Sequence, residues 1–269
     1  MAAPTAIIPY CGAPPSPAQL LMRWNLDPVL LTSLVAIAAL YVLGARRAGL
    51  PRRTLMYFNI GWFLTAAALI SPLCPLSVSL FTARVGQHMI LTLVAAPIVA
   101  LGRPAEAIAA LLKTRPKPLF TGLLGLAAPT AFFAVFLWYW HTPGPYEVTF
   151  DSTFVYWTMH VTLYGSALWL WTAILNDRRY AAWGILAALF TTVQMGLLGA
   201  LITLAPKPMY AWHLVTTWAW GLTPLQDQQL GGAVMWAPGC IAFLVPSIIG
   251  FWQLLQDPEE DGRRGSVTA

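Results

Sequence analysis

Charged residues are so sparse in this chain that they divide it into long uncharged stretches. Seven of these stretches, each of at least 18 residues and the fourth interrupted by one glutamate, are candidate membrane spans. About 20 apolar residues in a helix cross the hydrocarbon core of a bilayer. Trimmed at their proline, glycine and polar ends, the stretches predict seven membrane-spanning helices, near residues 29–44, 55–72, 85–101, 119–140, 152–175, 180–205 and 232–255.

Two shorter segments flank the predicted membrane domain, residues 29–255. Residues 1–28 contain repeated prolines that would interrupt a helix, and no basic stretch precedes an apolar core there, as a secretory signal requires. We interpret them as a proline-rich arm outside the membrane. Residues 256–269 are polar and are predicted to form a flexible tail.

The basic residues predict an orientation. Loops on one side of the predicted helices hold 12 Lys and Arg residues, whereas the other side holds only Arg23, Arg84 and Lys207. Cytoplasmic loops carry the excess of Lys and Arg, so the sequence places the N-terminus outside and the C-terminus in the cytoplasm. Termini on opposite sides agree with an odd number of helices.

Composition narrows the class of protein further. Hydrophobic residues make up 58% of the chain and charged residues 9%, against about 25% charged residues in soluble domains. A water-soluble fold is therefore excluded. The net charge of +5 reflects the excess of Lys and Arg in the loops on one side of the predicted helices. The sequence contains no glycine-rich phosphate loop, and no nucleic acid partner is expected. The chain also lacks the usual hydrolase motifs.

The histidines and several methionines share one side of the predicted membrane domain. His88, His141, His160 and His213 all map to its outer half, Met195 lies near the depth of His160, and Met235 begins the last helix from outside. Imidazole and thioether groups suit Cu(I), and neutral ligands avoid the cost of an ionised carboxylate in a membrane. Taken singly, each of these residues is more often a packing residue than a ligand.

Three other outer residues leave alternatives open. Asp227 stands just ahead of the predicted last helix, where it either caps the helix or orients a ligating imidazole. Cys11 and Cys74 face an oxidising compartment and form either a disulfide or two free thiols. Cys240 is interpreted as a small buried residue.

Several short motifs, in their order and spacing, resemble the CtaG family of cytochrome c oxidase assembly factors of bacteria with caa-type oxidases. They extend from about Trp24 to Trp252: Trp24-Asn-Leu-Asp-Pro28, Gln87-His88-Met89, Ala96-Pro97, Gly102-Arg-Pro104, Trp140-His141-Thr-Pro143 with Tyr146, His160, Asp227-Gln-Gln-Leu-Gly-Gly232 and Met235-Trp236.

The resemblance implies a non-enzymatic assembly factor in the bacterial cytoplasmic membrane that delivers or retains copper for the haem-copper centre. Its expected partners are oxidase subunits within the bilayer and a copper donor on the outer side. The candidate ligands carried over are His88, His141 and His160, with Met235 and Asp227 near them.

One position departs from the family pattern. Arg84 stands where the first histidine of a His-Met-x-x-His segment is expected, and an arginine is not a metal ligand. A site that needs that histidine would be incomplete or rebuilt here, with His213 as a substitute.

Two other classes of protein remain as alternatives. The histidines are also compatible with a haem-binding redox protein, although axial ligands must come from facing helices at one depth. A transporter is the less favoured alternative, because His160 is the one ionisable residue predicted near the midplane. A retinal receptor is excluded, since every lysine falls in a predicted loop.

Overall fold

The chain folds into helices joined by short connections, and the computed structural model describes residues 8–114, 123–176 and 181–266. No strand occurs in these ranges. The helices are α1 Pro28–Arg47, α2 Arg52–Ile70, α3 Leu73–Ser79, α4 Phe81–Leu101, α5 Pro104–Leu111, α6 Leu123–His141, α7 Pro143–Asp151, α8 Thr153–Asn176, α9 Ala181–Leu204, α10 His213–Thr216 and α11 Pro224–Ser266.

Four helical segments are long and apolar enough to cross a membrane: Pro28–Arg47, Phe81–Leu101, Gly184–Leu204 and Pro224–Val245. The pair α2 and α3, bent by 47°, counts as a fifth if it forms one span. An all-helical fold is thus confirmed for the described residues, with four or five segments that could span a membrane by length and composition. Each of the seven predicted spans coincides with a helix, but the number seven and the orientation stay predictions.

Some predicted features fall outside the described ranges. They are residues 119–122 and Tyr180 at the starts of two predicted helices, and four of the counted basic residues, Arg115, Lys117, Arg178 and Arg179. The division into arm, membrane domain and tail stays a prediction. The helical backbone of α11 nevertheless continues to Ser266, into the segment predicted as a tail.

Helix α4 contains a π-helical segment just after His88. The segment covers Ile90–Ala95 and precedes Pro97, whose ring lacks an N–H group and clashes with the carbonyl one turn earlier. Trp171 of α8 donates its indole N–H to the Thr92 carbonyl in this segment, at 2.8 Å. The hydrogen bond holds α8 against α4 below His88.

The main apolar core lies among α4, α6, α8, α9 and α11. Helices α9 and α11 approach closely because glycines meet at their crossing: a Cβ atom on Gly199 would lie 2.9 Å from the Gly232 carbonyl oxygen. These small residues allow the two helix backbones to pack directly against each other. Helix α1, in contrast, packs mainly against α5 and exposes apolar side chains such as Val35 and Leu40.

The N-terminal arm is fixed to the helices by a disulfide and a hydrogen bond. Cys11 and Cys74 form a disulfide, with their Cα atoms 5.5 Å apart, so the structure resolves the alternatives in favour of the disulfide. The hydroxyl of Tyr10 donates to Asp27 at 2.6 Å, and this bond lowers the pKa of the Asp27 carboxyl. The arm therefore covers the region where the histidines lie.

Candidate metal site

Three of the four histidines converge in the half of the helical domain that lies toward the N-terminal arm, whose Tyr10 packs on Tyr156 beside His160. His88 of α4 lies between His141, the last residue of α6, and His160 of α8, with ring centres 6.1 Å and 5.3 Å away. Their exposed fractions are 4%, 3% and 4%. All three side chains are therefore buried. We call His88, His141 and His160 the histidine triad.

Hydrogen bonds orient two of these rings. Nδ1 of His141 lies 2.7 Å from the Leu137 carbonyl oxygen, and Nδ1 of His160 lies 3.0 Å from the Tyr156 carbonyl oxygen. A carbonyl only accepts, so Nδ1 carries the proton and Nε2 of the neutral imidazole keeps its lone pair. Metal-binding histidines commonly use their second nitrogen in this way.

Three other ring nitrogens of the triad lack hydrogen-bond partners. Among the described residues, neither ring nitrogen of His88 has a hydrogen-bond partner, and Nε2 of His160 has none. Buried polar atoms rarely lack a partner, and each such atom calls for an explanation. An ion bound between the rings would satisfy these nitrogens.

The rings would have to move slightly closer together to share one metal ion. A metal–nitrogen bond is about 2 Å long and a ring nitrogen lies about 1 Å from the ring centre, so imidazoles sharing a metal have centres at most about 6 Å apart. Both distances in the triad are close to this limit. As placed, no group of three His, Cys, Asp or Glu side chains within the described ranges meets the geometry of a metal site.

Arg84 lies inside α4, one turn before His88, and not in an outer loop as the charge count assumed. Only 2% of its surface is exposed. Its guanidinium carbon lies 4.2 Å from the ring centre of Phe150 and 5.0 Å from that of Tyr146, and Nη2 donates to Thr149 at 2.8 Å. These three residues belong to α7, so Arg84 joins α4 to α7.

His213 of α10 is held apart from the triad by other partners. Its Nδ1 faces the Ser79 carbonyl oxygen at 3.3 Å, so Nε2 accepts the hydrogen bond from the Tyr146 hydroxyl at 2.7 Å. Both ring nitrogens are thus engaged. Burial, with the nearby charge of Arg84 as a smaller cause, lowers the pKa of His213 to about 3.

Asp227 lies in the first turn of α11 and caps a different helix. Its carboxylate accepts from the backbone N–H groups of Phe81 at 2.6 Å and Thr82 at 3.1 Å, at the start of α4. The two partners are backbone amides and neither is an imidazole. Asp227 therefore fixes the end of the helix that carries Arg84 and His88.

The two candidate methionine ligands are fully buried in the main apolar core. Met195 lies on α9, facing the backbone of Gly239, and Met235 lies on α11. Their role as ligands stays a prediction.

Sequence reasoning missed Tyr156. Its carbonyl orients His160, its ring centre lies 4.2 Å from that of His160, and its ring also lies 5.8 Å from the guanidinium carbon of Arg84. The one signal in the sequence is its position four residues before His160, where a helical carbonyl meets the next turn.

A cavity of about 450 Å³ reaches the triad from the side of α1. It lies mainly among α1, α2 and α8, and its walls are mostly apolar, with Asp27, Ser33, Thr65, His160 and Tyr164 as polar residues. His160 is therefore accessible from this cavity, between the helices.

Comparison with known proteins gives one match. Residues 38–257 match the model of the family described as cytochrome c oxidase caa3 assembly factor, Caa3_CtaG. No curated protein and no solved structure matches the chain. The matched range includes every residue of the triad.

Proposed function

The chain belongs to the cytochrome c oxidase caa3 assembly factor family, and from this premise we propose that it holds Cu(I) on the outer side of the membrane for insertion into the oxidase. The ion binds to His88, His141 and His160. The role is non-enzymatic: the protein acquires copper from a donor on the outer side and passes it to an oxidase subunit.

The observation that carries this proposal is the state of the ring nitrogens. His141 and His160 each keep an unprotonated Nε2, and the nitrogens of the His88 ring between them have no partner among the described residues. Neutral nitrogen ligands suit Cu(I), which accepts low coordination numbers and soft or borderline ligands. Burial also protects a bound ion from water.

The arrangement favours copper over haem. Two axial histidines need a porphyrin plane between their rings. The rings of His88 and His160 instead meet edge to face at 5.3 Å, with an interplanar angle of 76°, which leaves no gap for a macrocycle.

We further propose seven spans, formed by α1, α2 with α3, α4, α6, α8, α9 and α11, in a bacterial cytoplasmic membrane with the N-terminus outside. The excess of Lys and Arg in one set of loops supports this orientation, and the Cys11–Cys74 disulfide is compatible with an oxidising outer side. The lateral cavity beside His160 supports transfer to an oxidase subunit within the bilayer.

Two experiments test these proposals. X-ray absorption of the copper-loaded protein should show two or three imidazole nitrogens at about 2 Å; ligation by sulfur alone would contradict the triad and favour Met195 and Met235. For the orientation, a single cysteine replaces Lys207 or Arg47, and intact cells are labelled with an impermeant maleimide. The Lys207→Cys variant should react and the Arg47→Cys variant should not. The reverse pattern would contradict the orientation.

A further inference from the structure

Arg84 is a buried charged side chain beside the triad, and the proposed function assigns it no role. It is 2% exposed, its Nε has no partner, and no carboxylate in the described ranges forms an ion pair with it. An arginine stays protonated at any working pH. A buried charge without an opposite charge is costly, so packing alone is a poor reason for an arginine here.

Arg84 lies close to two members of the triad, His88 and His160. Arg84 precedes His88 by four residues in α4, so the two side chains lie on one face of the helix. The Tyr156 ring contacts both Arg84, at 5.8 Å from the guanidinium carbon, and His160, at 4.2 Å between ring centres. Any ion within the triad therefore lies near a fixed positive charge.

Three neutral histidines alone do not distinguish copper from zinc. The same ligand set binds Zn(II) in known enzymes, and divalent copper binds nitrogen ligands more tightly still. A protein that carries Cu(I) must therefore reject divalent ions by something other than its ligands.

We propose that Arg84 provides this selection: its fixed charge repels a divalent ion about twice as strongly as a monovalent one, so the triad accepts Cu(I) and rejects Zn(II) and Cu(II). The inference rests on the proposed copper site. At a separation of about 8 Å and an effective dielectric constant of about 20, one extra ionic charge weakens binding roughly thirtyfold. Arg84 is thus a selectivity residue that touches no ion itself.

The test compares Zn(II) and Cu(I) affinities, measured anaerobically by competition with chromophoric chelators in detergent. We expect Arg84→Gln to tighten Zn(II) binding roughly thirtyfold more than it tightens Cu(I) binding, and Arg84→Lys to leave the ratio of the two affinities near that of the wild type. Thr149→Val is the matched control, because it removes the hydrogen bond to Arg84 and keeps the charge.

Each outcome decides between the claims. An unchanged ratio in folded Arg84→Gln, beside a wild type that binds Cu(I), would overturn the selection and leave the copper site in place. A changed ratio in Thr149→Val would show that packing, and not charge, sets the preference. If Arg84→Gln does not fold, wild-type protein that binds Zn(II) as tightly as Cu(I) overturns the inference; a wild type that binds neither ion overturns the proposed function itself.

Discussion

Four buried histidines differ in what their ring nitrogens meet. In the triad, Nε2 of His160 and both nitrogens of His88 lack partners within the described ranges, whereas both nitrogens of His213 are engaged, by Ser79 and Tyr146. This difference separates a candidate ligand from a structural histidine although all four residues are equally buried. His213 is consequently the natural control for every experiment on the triad.

The pKa of His213 predicts an acid-dependent loss of stability. The unfolded chain takes up a proton below the ordinary value of 6.5, but the folded protein does so only near pH 3. Stability from this residue is complete above pH 6.5 and is lost as the pH falls. Each pH unit in this window costs about 1.4 kcal/mol, so the loss between pH 6.5 and 5 is about 2 kcal/mol.

Denaturation of the wild type and of His213→Gln, measured over this pH range, checks the prediction. The glutamine variant lacks the titrating group. Between pH 6.5 and 5 its free energy of unfolding should therefore fall by about 2 kcal/mol less than that of the wild type. Parallel curves for the two proteins would show that His213 is protonated to the same extent in both states.

Substitution of Asp227 distinguishes a helix cap from a metal ligand. Because its carboxylate accepts two backbone N–H groups of α4, Asp227→Asn should lower the free energy of unfolding by about 1–3 kcal/mol and leave copper binding intact at saturation. Asp151→Asn, at an exposed position, is the control and should change stability by less than about 0.5 kcal/mol. A folded Asp227→Asn that loses its copper would restore Asp227 as a ligand.

At the scale of helices, the crossing of α9 and α11 depends on glycine. A Cβ atom on Gly232 would lie 2.7 Å from the Thr203 amide nitrogen and 2.8 Å from the Gly199 carbonyl oxygen, so both backbones would have to move apart. We expect Gly232→Ala to destabilise the protein by about 1–3 kcal/mol through overpacking. Thermal unfolding in detergent measures the change.

Gly165 of α8 provides the matched control. A Cβ atom there meets no atom within 4 Å, so Gly165→Ala should be neutral or slightly stabilising. Equal effects of the two substitutions would contradict the close crossing.

The long helices were predictable from the sequence, and the short ones were not. Uncharged runs predicted helices within a few residues of α1, α2 and α4, because an apolar segment of that length has few other stable arrangements in a bilayer. Helices α3, α5, α7 and α10 are too short for an uncharged run to predict them. The start of α11 was placed too late, since Gly231 and Gly232 resemble a helix boundary and instead serve close packing.

For the molecule as a whole, the sequence predicted the side of the membrane on which the histidines lie but not their convergence. His88, His141 and His160 are far apart along the chain, and their meeting depends on how α4, α6 and α8 pack. The capping of α4 by Asp227 depends on the neighbouring α11 in the same way. The burial of Arg84 was missed because charge counting assigns every arginine to a loop.

Copper content tests the account most directly. Protein purified from cells grown with copper, reduced and kept anaerobic, should retain about one copper ion per chain in the wild type and in His213→Ala, but little in His88→Ala or His160→Ala. Equal copper in all four proteins, or a copper-free wild type, would contradict a site formed by the histidine triad.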